Sequence, residues 1–80
     1  MTELGEQFIL ALIEQGFAIS FTPDDMVVSA PQGLLVAYVP RVLLEDSQLD
    51  LLLAIVIERF VEDLGLRWQL DDGKGRPGLN

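Results

Sequence analysis

Phe17-Ala18-Ile19-Ser20-Phe21-Thr22-Pro23-Asp24-Asp25-Met26-Val27-Val28-Ser29-Ala30 is the stretch that decides the fold. Phe17, Ile19 and Phe21 alternate with Ala18, Ser20 and Thr22, the period of two that lays one face of a strand against a core. Thr22-Pro23-Asp24-Asp25 is a turn, because proline presets its second position and aspartates bond their own backbone. The chain should then return as a second strand over residues 26–30. With Phe21 opposite Met26, Ile19 falls opposite Val28 and Phe17 opposite Ala30. That register puts the large apolar side chains on one face, and a slip of one residue would break the match.

Downstream, Ala30-Pro31-Gln32-Gly33 has proline and glycine where a type I turn prefers them. Residues 34–39 form a third apolar stretch, which Pro40 should stop. Leu34, Val36 and Tyr38 fall on one side of it, and Leu35, Ala37 and Val39 on the other. It is either a central strand covered twice or an interface strand, because helices on one face of a small sheet leave the other face open. Upstream, Leu4, Phe8, Ala11 and Leu12, with Ile9 and Ile13, recur at helical spacing. Thr2 is placed to cap the first amides, Glu3 suits the positive helix end, and Gly16 suits a left-handed stop, after which Phe17 folds back on the last turn.

Ser47-Gln48-Leu49-Asp50 reads as a capping box, followed by a helix over residues 48–64 that Gly65 ends. Leu49, Leu52, Leu53, Val56 and Phe60 share its expected inner face. Residues 39–44 are left open as strand, loop or helix start, since Pro40 is tolerated in a first helical turn. Every position from 51 to 57 is apolar, so this half of the helix has no solvent side and wants a sheet on one flank and a second copy or a partner on the other. Leu66, Trp68 and Leu70 alternate with Arg67 and Gln69 as a short last strand, and Asp71-Asp72-Gly73 turns away. The expected fold is a small two-layer α+β domain of order α-β-β-β-α-β, an antiparallel meander packed by two helices. It spans residues 1–72 and leaves 73–80 as a flexible C-terminal tail.

Eighty residues suffice for one domain, which hides only about 60% of the surface its unfolded chain exposes. Half of the residues are hydrophobic, more than one small core readily covers, which favours association. Thirteen acidic against five basic residues, with no histidine, give a net charge of -8. Such a charge repels phosphates and anionic membranes, so direct nucleic-acid binding is not expected, and it favours solubility and basic protein surfaces. The absence of cysteine removes any disulfide framework and fits a reducing cytoplasm. Glu3 and Glu6 stand where a secretory signal would be basic, and the apolar run 51–57 is far short of the roughly 18–20 residues that span a bilayer.

Proton-transfer chemistry near neutrality usually uses histidine or cysteine, and the chain has neither. Ser20, Ser29 and Ser47 lack a base to activate them. The one lysine, Lys74, lies in the expected tail, and Gly73-Lys74-Gly75 lacks the rest of a phosphate loop. Carboxylates are abundant, in Asp24-Asp25, Glu45-Asp46 with Asp50, Glu58 with Glu62 and Asp63, and Asp71-Asp72. None has the spacing of a calcium loop, so neither a metal nor a cofactor is assigned.

Residues 10–33 carry a family resemblance. Ala11-Leu12-Ile13-Glu14-Gln15-Gly16-Phe17-Ala18-Ile19, then Asp24-Asp25-Met26-Val27-Val28, then Ser29-Ala30-Pro31-Gln32-Gly33 resembles the N-terminal docking domains of tubulysin-type synthetases. These follow an α-β-β-α-α plan and continue with a helix soon after this glycine, where residues 34–39 intervene here. The resemblance implies a homodimeric or adaptor-like module whose hairpin edge accepts a short peptide.

The expected function is therefore a non-enzymatic protein–protein interaction module, a docking, adaptor or self-associating domain whose partner is another protein or a second copy. Val27, Ser29, Leu34, Val36 and Tyr38 on the sheet, and Leu51, Ile55, Glu58 and Glu62 on the long helix, are the expected contact residues. The competing expectation is a small acidic inhibitor of the kind phages use against host defences, blocking a host protein at a basic nucleic-acid site.

Overall fold

The computed structural model describes residues 1–68, the side chains of Leu35 and Val36 excepted. The expected strand positions Gln69 and Leu70, the turn at Asp71-Asp72-Gly73 and the tail 73–80 lie outside the described residues. The chain runs through α1 (Glu3–Glu14), β1 (Ala18–Phe21), β2 (Asp25–Ser29), β3 (Leu35–Pro40), α2 (Val42–Glu45), a 3₁₀ turn (Ser47–Leu49) and α3 (Asp50–Leu64). It is an α+β domain in which helices cover one face of a three-stranded antiparallel sheet of order β1-β2-β3.

Helix α1 begins and ends as its sequence dictates. The Thr2 hydroxyl oxygen accepts from the Gly5 N–H at 3.0 Å, which satisfies one of the amides left open by the first turn. At the other end the Phe17 N–H donates to the Leu12 carbonyl at 2.9 Å and the Gly16 N–H to that of Ile13 at 3.1 Å. This Schellman pair requires a left-handed residue, supplied by Gly16 at φ +93°. Phe17 and Leu12 are both buried in the core, so the chain leaves the helix already folded onto it.

The hairpin register is the expected one, with Phe21 paired to Met26 and Ile19 to Val28. Met26, Val28 and Val39 face the helices and are fully buried, while Val27 and Tyr38, register partners across β2 and β3, face the other way. Between β2 and β3 the register shifts, Val28 opposing Ala37 and Ser29 opposing Leu35, so Val36 is the extra residue of a bulge. Phe21 departs from expectation. It is 48% exposed because it ends an edge strand beyond the helices, and the Arg41 guanidinium covers its ring at 5.5 Å from the centroid. Arg41 also donates to the Thr22 carbonyl at 3.1 Å and to Glu45 at 3.2 Å, tying the hairpin turn to α2.

In the second half one open reading is settled and two expectations are corrected. Residues 42–45 form a separate short helix, because Leu43 and Leu44 turn into the core between sheet and α3. The expected capping box does not form: the Asp46 carboxylate accepts from the Gln48 N–H at 2.9 Å, starting a 3₁₀ turn one residue early. Leu49 thus becomes the residue before α3, and Asp50 Oδ1 is buried without a hydrogen-bond partner. Residues 66–68 are not in a strand. Leu66 is buried against the core, and its N–H donates to the Phe60 carbonyl at 3.3 Å, so this segment closes on α3 and α1 and not on the sheet.

One core joins all layers. Phe8 and Leu12 of α1, Met26, Val28 and Val39 of the sheet, Leu44 of α2 and Leu53 of α3 are its fully buried centre, with Ile57, Phe60 and Leu66 completing it. On α3 the inward residues are Leu53, Ile57 and Phe60, with Val56 partly buried, as is Leu49 just before the helix. Leu52, expected inside, is 51% exposed, one helical step away from Leu53 on the solvent flank.

Candidate interaction surface

The expected contact residues fall into two groups in different layers. On the outer face of the sheet, Tyr38 is exposed and Val27 and Ser29 are half-buried, beside the exposed Ala18 and Ser20. Leu34 is exposed just before β3, and the side chain of Val36 lies outside the described set. Among the described side chains this face is a mix of small, polar and isolated apolar groups. Val27 and Ser29 belong to the central strand β2, whose backbone is paired on both sides, so neither can receive a peptide by strand addition. Among the described residues the edge strands are β1 and β3.

The second group is more concentrated. Leu51 is 82% exposed, the most exposed of the described large hydrophobic side chains, and Ile55 one turn later is 56% exposed. Helical spacing sets Leu51, Ala54, Ile55, Glu58 and Val61 along one flank of α3. That flank forms the wall of an open groove of about 580 Å³, completed by Leu4 of α1 and by Trp68. Glu62 is exposed one turn beyond Glu58 on the same helix but does not line the groove. The fully apolar run 51–57 thus divides, Leu53 and Ile57 going to the core and Leu51, Leu52 and Ile55 to solvent.

Trp68 was expected against a helix or at a rim, and it does both. Its ring meets Phe8 edge-on at 6.4 Å and 77°, while Phe8 meets Phe60 at 5.2 Å and 84°. Its other side borders the α3 groove and a second hollow of about 420 Å³ lined by Gln7, Leu10, Ala11, Glu14, Gln15 and Arg67. Besides the Phe8 ring, the segment carrying Trp68 is held through Arg67 by a pair of hydrogen bonds that composition and periodicity do not signal. Gln15 Nε2 donates to the Arg67 carbonyl at 2.7 Å, and the Arg67 N–H donates to Gln15 Oε1 at 2.8 Å. The side-chain amide acts as a short piece of strand, joining segments 52 residues apart.

Removing this clamp gives a direct test of its role. Gln15→Ala should cost about 1–2 kcal/mol, the worth of two hydrogen bonds partly replaced by water. The released Trp68 should shift its fluorescence emission to longer wavelength in the still-folded protein. Unchanged emission and an unchanged urea midpoint would show that the clamp does not position the ring.

Electrostatically the α3 flank is one-sided. Among the described residues the ion pairs are Arg41 with Glu45 at 3.2 Å and Arg59 with Asp63 at 3.3 Å. Glu58 and Glu62 have none. No three acidic, histidine or cysteine side chains among the described residues stand together in a metal-ligand cluster. No helix of the described residues is long and apolar enough to cross a membrane. Neither a protein-family model, nor a curated protein, nor a solved structure matches the chain.

Proposed function

We propose that the chain is a non-enzymatic protein–protein interaction module that docks through the exposed flank of α3. The observation that carries this reading is the placement of Leu51 and Ile55, large apolar side chains left mostly in solvent beside an open groove. Burying one such side chain is worth about 1.5–3 kcal/mol, so a partner covering both would gain a substantial part of a micromolar binding energy from two residues. The fold does not need these two exposed side chains to be apolar, since α3 is anchored by Leu53, Ile57 and Phe60. The sheet supports the reading less well, its exposed Tyr38 standing beside the serines Ser20 and Ser29.

The resemblance of residues 10–33 to docking domains of tubulysin-type synthetases supports the same class of function, with the hairpin edge as its contact. The α3 flank is the surface proposed here because the apolar area is there. A benzophenone side chain installed at Leu51, compared with one installed at the exposed turn residue Asp24, tests it. Irradiation in cells of the source should give discrete adducts from position 51, with itself or with another protein, and none from position 24. Equal yields at the two positions, or none at either, would remove α3 as the contact surface.

A further inference from the structure

We infer that the groove between α3 and Trp68 takes a basic amphipathic helix of another protein, its apolar stripe against Leu51, Ala54 and Ile55 and its lysine or arginine side chains beside Glu58 and Glu62. This inference rests on the reading of α3 as a docking surface and adds the partner's chemistry. The flank is divided along its length. Its N-terminal half, Leu51, Ala54 and Ile55, is apolar, and its C-terminal half carries Glu58 and Glu62 around Val61. Glu58 and Glu62 stand four residues apart, where like charges on a helix repel each other. Among the described residues neither has an ion pair: Arg59, about 100° around the helix from Glu58 and about 60° from Glu62, pairs with Asp63, and Arg41 is engaged with Glu45 and the Phe21 ring. An incoming cation would lower the repulsion between them.

The same division argues against a second copy as the occupant. In a two-fold antiparallel pairing centred on the groove, the Leu51 and Ile55 half of one α3 lies on the Glu58 and Glu62 half of the other. That arrangement buries carboxylates against leucine and isoleucine with no cation to pair them. A parallel arrangement sets glutamates against glutamates. Both copies also bring a net charge of -8, which slows their encounter, whereas a basic helix is drawn in by the same field. A helix fits better than an extended strand, because the groove is walled by helix α3 and Leu4 of α1 and offers side chains, not a free sheet edge.

The experiment uses the full chain and its only tryptophan, Trp68, whose ring lines the groove. Three synthetic helices of one length are titrated while its fluorescence is followed. One has leucines at i, i+3, i+4 and i+7 with lysines at its flanks, one has glutamates in place of the lysines, and one is the lysine peptide with its order scrambled. The lysine helix should bind about tenfold or more tighter than the glutamate helix at low salt and lose most of that advantage at high salt. Glu58→Gln with Glu62→Gln should weaken it about threefold to tenfold, while Asp24→Asn in the hairpin turn should leave it within about twofold.

Equal binding of the lysine and glutamate helices, still dependent on Leu51, would overturn the basic-helix assignment and leave α3 as a docking surface. A dimer by light scattering that Leu51→Ser dissociates would do the same and make a second copy the occupant. Failure of the lysine helix to move Trp68 emission at low salt overturns the inference outright, and cross-linking at position 51 then decides separately whether α3 docks anything.

Discussion

Phe8→Ala is expected to leave the chain largely unfolded or barely folded at room temperature. Phe8 is fully buried, and its ring is the joint through which α1 meets both Phe60 of α3 and Trp68. Truncating a buried phenylalanine typically costs about 3–5 kcal/mol, from lost transfer energy and the cavity left behind. A domain of this size holds only about 4–12 kcal/mol in all. The cavity would open where three elements meet, and Trp68, half-buried, is held there by that ring and the Gln15 clamp. Urea denaturation followed by far-ultraviolet circular dichroism measures the loss. Ile13→Ala on the same helix, at 53% exposure, should change stability by no more than about 0.5 kcal/mol. A Phe8→Ala loss below about 1.5 kcal/mol would mean that the layers are held elsewhere.

Features fixed by neighbours in the chain were legible in the sequence. The hairpin register follows from alternation and a proline turn within residues 17–30, and it is found as expected. The same holds for the start of α1 at Thr2 and its stop at Gly16, both matters of one or two turns of backbone. Features fixed by distant groups were not. Asp46 took the capping role from Ser47 because residues 42–45 turned into a helix of their own, which changed where the next one could begin. The alternation of Leu66 and Trp68 looks like a strand, yet the Gln15 amide and the Phe8 ring, both far away in sequence, claim that segment for the helical layer.

The exposed flank of α3 was half legible for the same reason. A helix that is apolar at every position from 51 to 57 must show some of those side chains to solvent, so Leu51 and Ile55 stand where the pattern suggested. Which flank they take depends on the sheet and on α1. Leu4 and Trp68, which make a groove out of a helix face, therefore could not be read from α3 itself. The central position of β2 likewise depends on β3 pairing to its far side, and that pairing removes Val27 and Ser29 from any free edge.

Gly5→Ala should destabilise the protein by about 1–2 kcal/mol, although alanine is the better helix former. In a helix interior the exchange gains up to about 1 kcal/mol, and less in the first turn, where Gly5 sits. Against that gain stands contact with backbone. A Cβ on Gly5 would lie 2.8 Å from the Leu44 carbonyl oxygen and 3.2 Å from its Cα, closer than carbon atoms normally come. The carbonyl cannot easily retreat, because it accepts from the Thr2 N–H at 2.9 Å and the Thr2 hydroxyl at 3.3 Å. The Leu44 side chain, 1% exposed, is fixed in the core behind it. Forcing α1 and α2 apart is an overpacking change of the kind that costs about 1–3 kcal/mol. It would also strain the hydrogen bond that holds Thr2, and with it the helix cap. Glu6→Ala, one position on and exposed, is the control for a first-turn substitution without the clash, and should change stability by no more than about 1 kcal/mol, mostly from the lost carboxylate at the positive helix end. Amide hydrogen exchange gives a second reading, since the Thr2 N–H should exchange faster in Gly5→Ala than in Glu6→Ala. A higher urea midpoint for Gly5→Ala would show that α2 yields freely, and that the close approach of the two helices does not hold the domain together.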